Sequence, residues 1–198
     1  MIPKKTKLLM QAFKTATLLP SQELEAYGLQ RADIQTAVRE GVLRRVASGL
    51  YRFSEAEVTE NYSLVQAARI VPQGVVCLLS ALRFHGMTTQ APHEVWLAVP
   101  RDSWRPKAKG IRLVQFARNA LGEGIEAHKL EGAVVRITSP ARTVADCFKF
   151  RNKIGLDVAV EALRDARSGR KCSVDDILRQ ARLCRVAKVM RPYLEALS

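Results

Sequence analysis

The stretch LLPSQELEAYGLQRADIQTAVREGVLRRVASGLYRF, Leu18 to Phe53, decides the fold of the N-terminal part of the chain. Ser21 is placed to cap a helix that carries Leu24 and ends near Tyr27. Gly28 supplies the left-handed conformation with which a chain leaves a helix and turns sharply. A second helix is expected over roughly Arg31 to Glu40, closed by Gly41. Val42 to Phe53 then reads as two strands joined around Ala47-Ser48-Gly49, a loop length and glycine position that suit a hairpin. Helix, glycine turn, helix and hairpin is the layout of a winged helix-turn-helix. In that layout the second helix enters a DNA major groove and the hairpin lies along the backbone.

The two faces of the second helix fit this reading. At about 100° per residue, Ile34, Ala37 and Val38 share the side that seals to the domain. Arg31, Gln35, Thr36 and Arg39 fall on the opposite arc, and Gln30 stands at its entry. Arginine pairs with a guanine edge, glutamine with adenine, and a threonine hydroxyl with base or phosphate. The hairpin adds Arg44, Arg45 and Arg52, which neutralise phosphates, and Ser48 at its turn. These nine residues are the candidate DNA contacts. The alternative is a solvated amphipathic helix beside an ordinary hairpin; the combination, with few acids on the outward arc, favours DNA.

Outward from that stretch, the charge balance points the same way. The chain has 198 residues, room for one large domain or two small ones, and its hydrophobic fraction of 47% supports a real core. It carries 32 Lys and Arg against 19 Asp and Glu, a net charge of +13. Such a balance suits a polyanion, with nucleic acid first and an anionic membrane surface second. Residues 1–53 hold nine basic and four acidic side chains, so the excess is spread over both halves. Cys77, Cys147, Cys172 and Cys184 lack zinc-knuckle or redox-pair spacing, and reduced, mostly buried thiols are expected. His85, His93 and His128 are too scattered for a metal site. No signal peptide and no run of eighteen apolar residues is read, so the expected location is cytoplasmic, with no membrane contact.

A first helix is expected over Lys7 to Thr15, with Lys4, Lys5 and Lys7 either touching phosphate or forming a solvated tail. Glu55 to Val71 reads as a connector helix with Val58, Tyr62 and Val65 toward a core, ended by Pro72-Gln73-Gly74. Beyond it, VVCLL is a short apolar run, and Ser80 is placed to begin a helix that stops at His85-Gly86. His85 reads as a structural histidine, since no nucleophile or paired acid is near it in sequence. Glu94–Val99 and Ile111–Phe116 read as strands, the first by alternation. The loop RDSWRPKAKG between them reads as a solvated turn whose Trp104 covers the sheet edge, with base stacking or a phosphate grip as the alternative. Ile125–Leu130 and Ala133–Thr138 form a hairpin around Glu131-Gly132. Ser139-Pro140 opens a helix on which Arg142 and Asp146, four apart, pair. Further helices are read over Leu156–Ala166, after the capping Ser173, and over Val186–Leu197 with a break at Pro192. The fold class is therefore α+β: a winged helix-turn-helix with its connector in residues 1–71, then a small mixed α/β domain with a helical tail in 72–198.

No phosphate-binding glycine loop, zinc set, serine elbow or histidine–cysteine pair is present. A nuclease core wants an acid on one strand and acid-x-lysine on the next, and Glu126 and Lys129 in EAHKL have the wrong spacing. No catalytic residue, metal or cofactor is assigned, and the chain reads as a non-enzyme.

Three segments together resemble the AbiEi family of type IV toxin–antitoxin antitoxins, described as predicted transcriptional regulators of viral defence systems. They are SQELEAYGLQRADIQTAVREGVLRRVASGLYRF, LLSALRFHG and SPARTVADCF, in this order, over most of residues 18–150. The resemblance implies a bifunctional protein. The winged helix represses its own operon by binding repeats in the promoter, and the C-terminal domain opposes a nucleotidyltransferase-like toxin without a stable complex. A monomer in solution with two copies on the DNA is expected. The SALRFHG and SPARTVADCF segments read as mainly structural, so the antitoxin surface is placed on Arg164, Arg167, Arg179, Arg182 and Arg185 of the later helices. The alternative function is a nucleic-acid-processing enzyme or RNA-binding factor that uses the basic C-terminal half.

Overall fold

The computed structural model describes residues 4–103 and 108–197 and groups them into two units. The first comprises residues up to Pro72 together with Lys129–Val135; the second comprises Gln73–His128 and the chain from Arg136 onward. Trp104 lies outside the described residues.

The first unit contains helix α1 (Lys4–Ala12), strand β1 (Leu19–Pro20), helix α2 (Ser21–Ala26), helix α3 (Arg31–Arg39), strands β2 (Leu43–Ala47) and β3 (Leu50–Phe53), and helix α4 (Tyr62–Ile70). Its sheet runs β1-β3-β2, all antiparallel, with Leu19 opposite Tyr51 and Leu43 opposite Phe53. Gly28, at φ +91°, makes the turn between α2 and α3 that an L side chain would strain. Gly49, at φ +66°, closes the β2–β3 hairpin, and the register shifts by one residue between Arg45 and Ala47, a bulge at Val46. Leu9, Ala12, Leu19, Leu24, Leu29, Ile34 and Leu43 form one buried cluster under the three helices and the wing. This is a winged helix-turn-helix within an α+β fold.

Several local expectations shift. Lys4, Lys5 and Lys7 lie within α1 rather than ahead of it. Ser21 is the first helical residue of α2 and Pro20 takes the cap position; the Ser21 N–H, which has no partner within the helix, donates to the Gly49 carbonyl at 2.8 Å, tying helix to wing. The connector helix begins only at Tyr62, and Val58 is 66% exposed. The preceding segment is held otherwise: the Arg52 guanidinium donates to the carbonyls of Phe53 (3.0 Å), Ser54 (3.4 Å) and Ala56 (2.8 Å), holding them away from helical partners.

The second unit is built on a five-stranded sheet of order β6-β5-β4-β8-β7, from β4 (Val75–Val76), β5 (Val95–Pro100), β6 (Ile111–Phe116), β7 (Ile125–Leu130) and β8 (Ala133–Thr138), with the Lys129–Val135 tip of the β7–β8 hairpin grouped in the first unit. β5 is parallel to β6 and antiparallel to β4, while β4 is parallel to β8. Val95 to Val99 are all buried, so β5 does not alternate as expected; a strand flanked by two others and covered on both faces reads as a continuous apolar run. Helix α5 (Leu78–Phe84) starts two residues before Ser80, and Ser80 instead uses its hydroxyl oxygen to accept the Trp96 N–H at 2.9 Å.

Helix α6 (Pro140–Lys149) is the hub: Ala141 to Phe148 are buried without interruption. Ser139 caps it as expected, accepting the Arg142 N–H at 3.3 Å. Around it stand α7 (Arg151–Ile154), α8 (Leu156–Ser168), α9 (Val174–Leu183) and α10 (Ala187–Ala196), with Leu163, Ile177 and Met190 in the shared core. Helix α10 runs through Pro192 without the expected break. Proline removes one backbone bond there, but Met190 and Leu194 on the buried face keep the helix docked. No helix among the described residues is long and apolar enough to cross a membrane. The four cysteines are free thiols, and Cys77, Cys147 and Cys184 are buried.

Candidate nucleic-acid interface

Helix α3 is anchored before it presents anything. Ile34 and Ala37 are buried, with Val38 packed against the same cluster. At its start the Asp33 carboxylate accepts the Gln30 N–H at 3.0 Å and pairs with Lys5 on α1 at 2.5 Å. That neutralises the acid nearest the outward face, and both bonds hold the Asp33 carboxyl below its ordinary range. The opposite arc carries exposed Arg31, Gln35 and Arg39 and half-buried Thr36, with exposed Gln30 at the entry. Gln35 and Arg39, four residues apart on one face, have no hydrogen-bond or ion-pair partner among the described residues. Arg31 pairs with Glu25 at 3.1 Å, with its side chain 85% exposed.

The wing divides the remaining candidates. Arg44 is exposed and unpaired among the described residues. Arg45 is exposed, and its guanidinium bends over the turn to the Ala47 carbonyl (3.3 Å) and the Ser48 hydroxyl (3.4 Å), bringing Arg45 and Ser48 together. Arg52 is different: its three carbonyl partners and its place over the Tyr62 ring, 5.4 Å from the centroid, commit it to the fold. Sequence alternation gave no sign of this, since two of the three carbonyls that take Arg52, those of Ser54 and Ala56, lie beyond the strand.

The five C-terminal arginines differ in their partners. Arg167 donates to the Leu197 carbonyl, and Arg179 pairs with Asp176 at 2.9 Å. Arg164 and Arg185 are exposed, Arg185 at φ +59° in the turn between α9 and α10. Arg167 and Arg182 do meet, with Lys188 and Arg191, around a groove of about 480 Å³ floored by Val174, Leu178 and Leu194. A second cavity of about 580 Å³, beside β6 and the end of α6, is lined by Arg101, Lys149 and Lys153 and, among the described residues, by no acid. The sequence reading missed this trio, although the basic run Lys149-Phe150-Arg151-Asn152-Lys153 was visible in the chain.

The two family-like segments converge in the second unit. His85, at the end of α5, places Nε2 at 2.7 Å from the Thr138 carbonyl, just ahead of the Ser139 cap. A carbonyl only accepts, so Nε2 carries the hydrogen. Burial lowers the His85 pKa below its ordinary value. Arg142 donates to Asp146 at 2.9 Å and to the carbonyls of Ala120 and Glu123, so both residues act in the fold. Beside them a smaller cavity is lined by Ser139, Lys171, Cys172 and Gln180 among others. Burial pushes the Cys172 thiol up to about 11, which keeps it protonated and unsuited to nucleophilic work near neutrality. No group of three His, Cys, Asp or Glu side chains among the described residues is arranged to hold a metal ion.

No family model and no curated protein matches the chain. Among solved structures it is similar to the crystal structure of the RV2827C protein from Mycobacterium tuberculosis, with a TM-score of 0.62 and 16% sequence identity over 91% of this chain and 72% of that one. At that identity the likeness is one of fold.

Proposed function

We propose that the protein is a sequence-specific DNA-binding repressor of its own operon whose C-terminal unit serves as an antitoxin against a nucleotidyltransferase-like toxin. The observation that carries the DNA-binding part is the exposed arc of α3, with Arg31, Gln35 and Arg39 outward and Ile34 and Ala37 sealed below. Exposed Arg44 and Arg45 on the wing supply backbone contacts beside it, and Thr36, Gln30 and Ser48 supply neutral donors and acceptors. A net charge of +13 strengthens any such contact at low salt. The antitoxin part rests on the resemblance of LLSALRFHG and SPARTVADCF to the AbiEi family, and the action on the toxin is read as one without a stable complex. The protein works in the cytoplasm as a monomer that pairs on repeated half-sites, without cofactor and without catalysis of its own.

The test is a mobility shift with the DNA immediately upstream of the gene against random DNA of equal length, run at two salt concentrations. Retention of the upstream fragment at the higher salt supports the reading, and equal release of both removes it. A second reading, RNA binding or processing by the C-terminal half, is favoured by the acid-free cavity of Arg101, Lys149 and Lys153. Charge reversal at Lys149 and Lys153 separates the two, since it weakens RNA retention and leaves operator binding in place.

A further inference from the structure

The cavity beside the α6 cap has a volume of about 360 Å³ and a lining more polar than apolar. Gln180 projects from α9 into its wall and is only 3% exposed. Its side-chain oxygen is buried and meets no donor among the described residues. Left so, a buried carbonyl oxygen forfeits the hydrogen bond that water gave it in the unfolded chain. The oxygen lies against Gly124, where an added Cβ would stand 2.9 Å from it, so only a glycine leaves room for it there.

The charged groups around that oxygen narrow what satisfies it. Three carboxylates, Glu123, Glu126 and Asp176, face two cations, Lys171 and Arg179. Asp176 and Arg179 satisfy each other at 2.9 Å, and Glu126 is bonded to His128 at 3.1 Å. Glu123 and Lys171 remain without an ion-pair partner among the described residues. A phosphate dianion would enter a cavity that already holds one excess negative charge, which opposes it. A molecule with a cationic donor at one end and a carboxylate at the other adds no net charge and answers all three unmatched groups.

We propose that this cavity binds a free α-amino acid, its ammonium donating to Gln180 Oε1 and Glu123 and its carboxylate accepting from Lys171. The volume suits one such molecule with its side chain. Ile125, Pro140 and Ala141 supply the apolar part of the wall, and among the described lining residues there is no aromatic ring on which a nucleobase would stack.

The test is calorimetric titration of the full chain with each of the twenty free amino acids. At least one should bind saturably at 1:1, and its N-acetyl and carboxamide derivatives should bind about tenfold more weakly or worse. Gln180→Met and Lys171→Met should each weaken binding by about tenfold or more. Lys171 is exposed, so its variant tests the site even if the Gln180 variant folds poorly. No saturable binding up to about 10 mM, or binding that neither the blocked derivatives nor the Lys171 variant weakens, overturns the proposal.

Discussion

His85 donates from Nε2 to the Thr138 carbonyl at 2.7 Å, joining the end of α5 to the residue before the α6 cap. Burial is the largest influence on His85 and lowers its pKa from 6.5, against the Thr138 bond and Glu126, which raise it; His128 and Lys171 add to the lowering. The unfolded chain therefore binds the proton more readily than the folded one. The stability from neutral His85 is present above about 6.5 and is lost as pH falls through the folded value. Thermal melts of the wild type should drop between neutral and mildly acidic pH, and His85→Gln should flatten part of that slope. An identical slope in both proteins would show that His85 does not carry the effect.

On α3, Gln35 and Arg39 stand outward without competing partners among the described residues. Gln35→Ala or Arg39→Ala should weaken binding to the cognate operator by ~1–3 kcal/mol while sparing random DNA. Competition titrations measure this directly; equal losses on both DNAs would assign α3 to backbone contact.

The wing arginines should separate into two behaviours. Neutralising exposed Arg44 or Arg45 should weaken all sequences alike and reduce the salt slope by about one for each phosphate no longer neutralised. Arg52→Ala should leave that slope unchanged and lower the melting temperature, because it frees the carbonyls of Phe53, Ser54 and Ala56. A salt slope that falls with Arg52→Ala and a melting temperature that does not would reverse the assignment.

The second unit holds a buried ion pair on α6. The side chains of Arg142 and Asp146 are 4% and 0% exposed and 2.9 Å apart. Removing either partner strands a charge, so Arg142→Met or Asp146→Leu should cost about 3–5 kcal/mol. The double replacement should recover part of that loss but not all, since Arg142 also holds the Ala120 and Glu123 carbonyls at 2.7 and 3.0 Å. Denaturant melts of the three variants decide it, and strictly additive losses would argue against coupling.

The chain yields its local signals more readily than its long-range ones. Gly28, the Ser139-Pro140 cap and the Glu131-Gly132 turn are local devices, and each was legible because its residue types act on their own backbone. The pairing of β4 with both β5 and β8 was not, since a two-residue strand carries no period. Arg52 shows the same limit within the candidate site: its charge was visible, but its carbonyl partners follow from the path after β3. Gln180 was hidden for a related reason, because a polar residue in an amphipathic helix looks solvated until the helix is packed.

The winged unit draws on a segment from later in the chain. Lys129–Val135 groups with it, and the contacts are specific. Glu131 accepts from the Thr17 hydroxyl at 2.5 Å and from Thr59, and the Gly132 carbonyl accepts from Arg69 at 3.1 Å. A fragment ending at Pro72 keeps the cluster of Leu9, Leu24, Ile34 and Leu43 but loses all of these bonds. Each of these three bonds has an ionised partner, worth ~1.5–3 kcal/mol where buried and less at exposed Thr59, so the loss is on the order of 5 kcal/mol. Against a typical stability of ~5–15 kcal/mol, the fragment should fold with a lower melting temperature and still retain the operator, more weakly than the full chain. It should not relieve toxicity when the toxin is expressed, because both motif segments are missing. Circular dichroism melts, operator mobility shifts and growth assays with the fragment and the full chain check the three outcomes. A fragment as stable as the full chain would show that Lys129–Val135 contributes nothing to this unit, and rescue of growth by the fragment would overturn the assignment of antitoxin work to the C-terminal half.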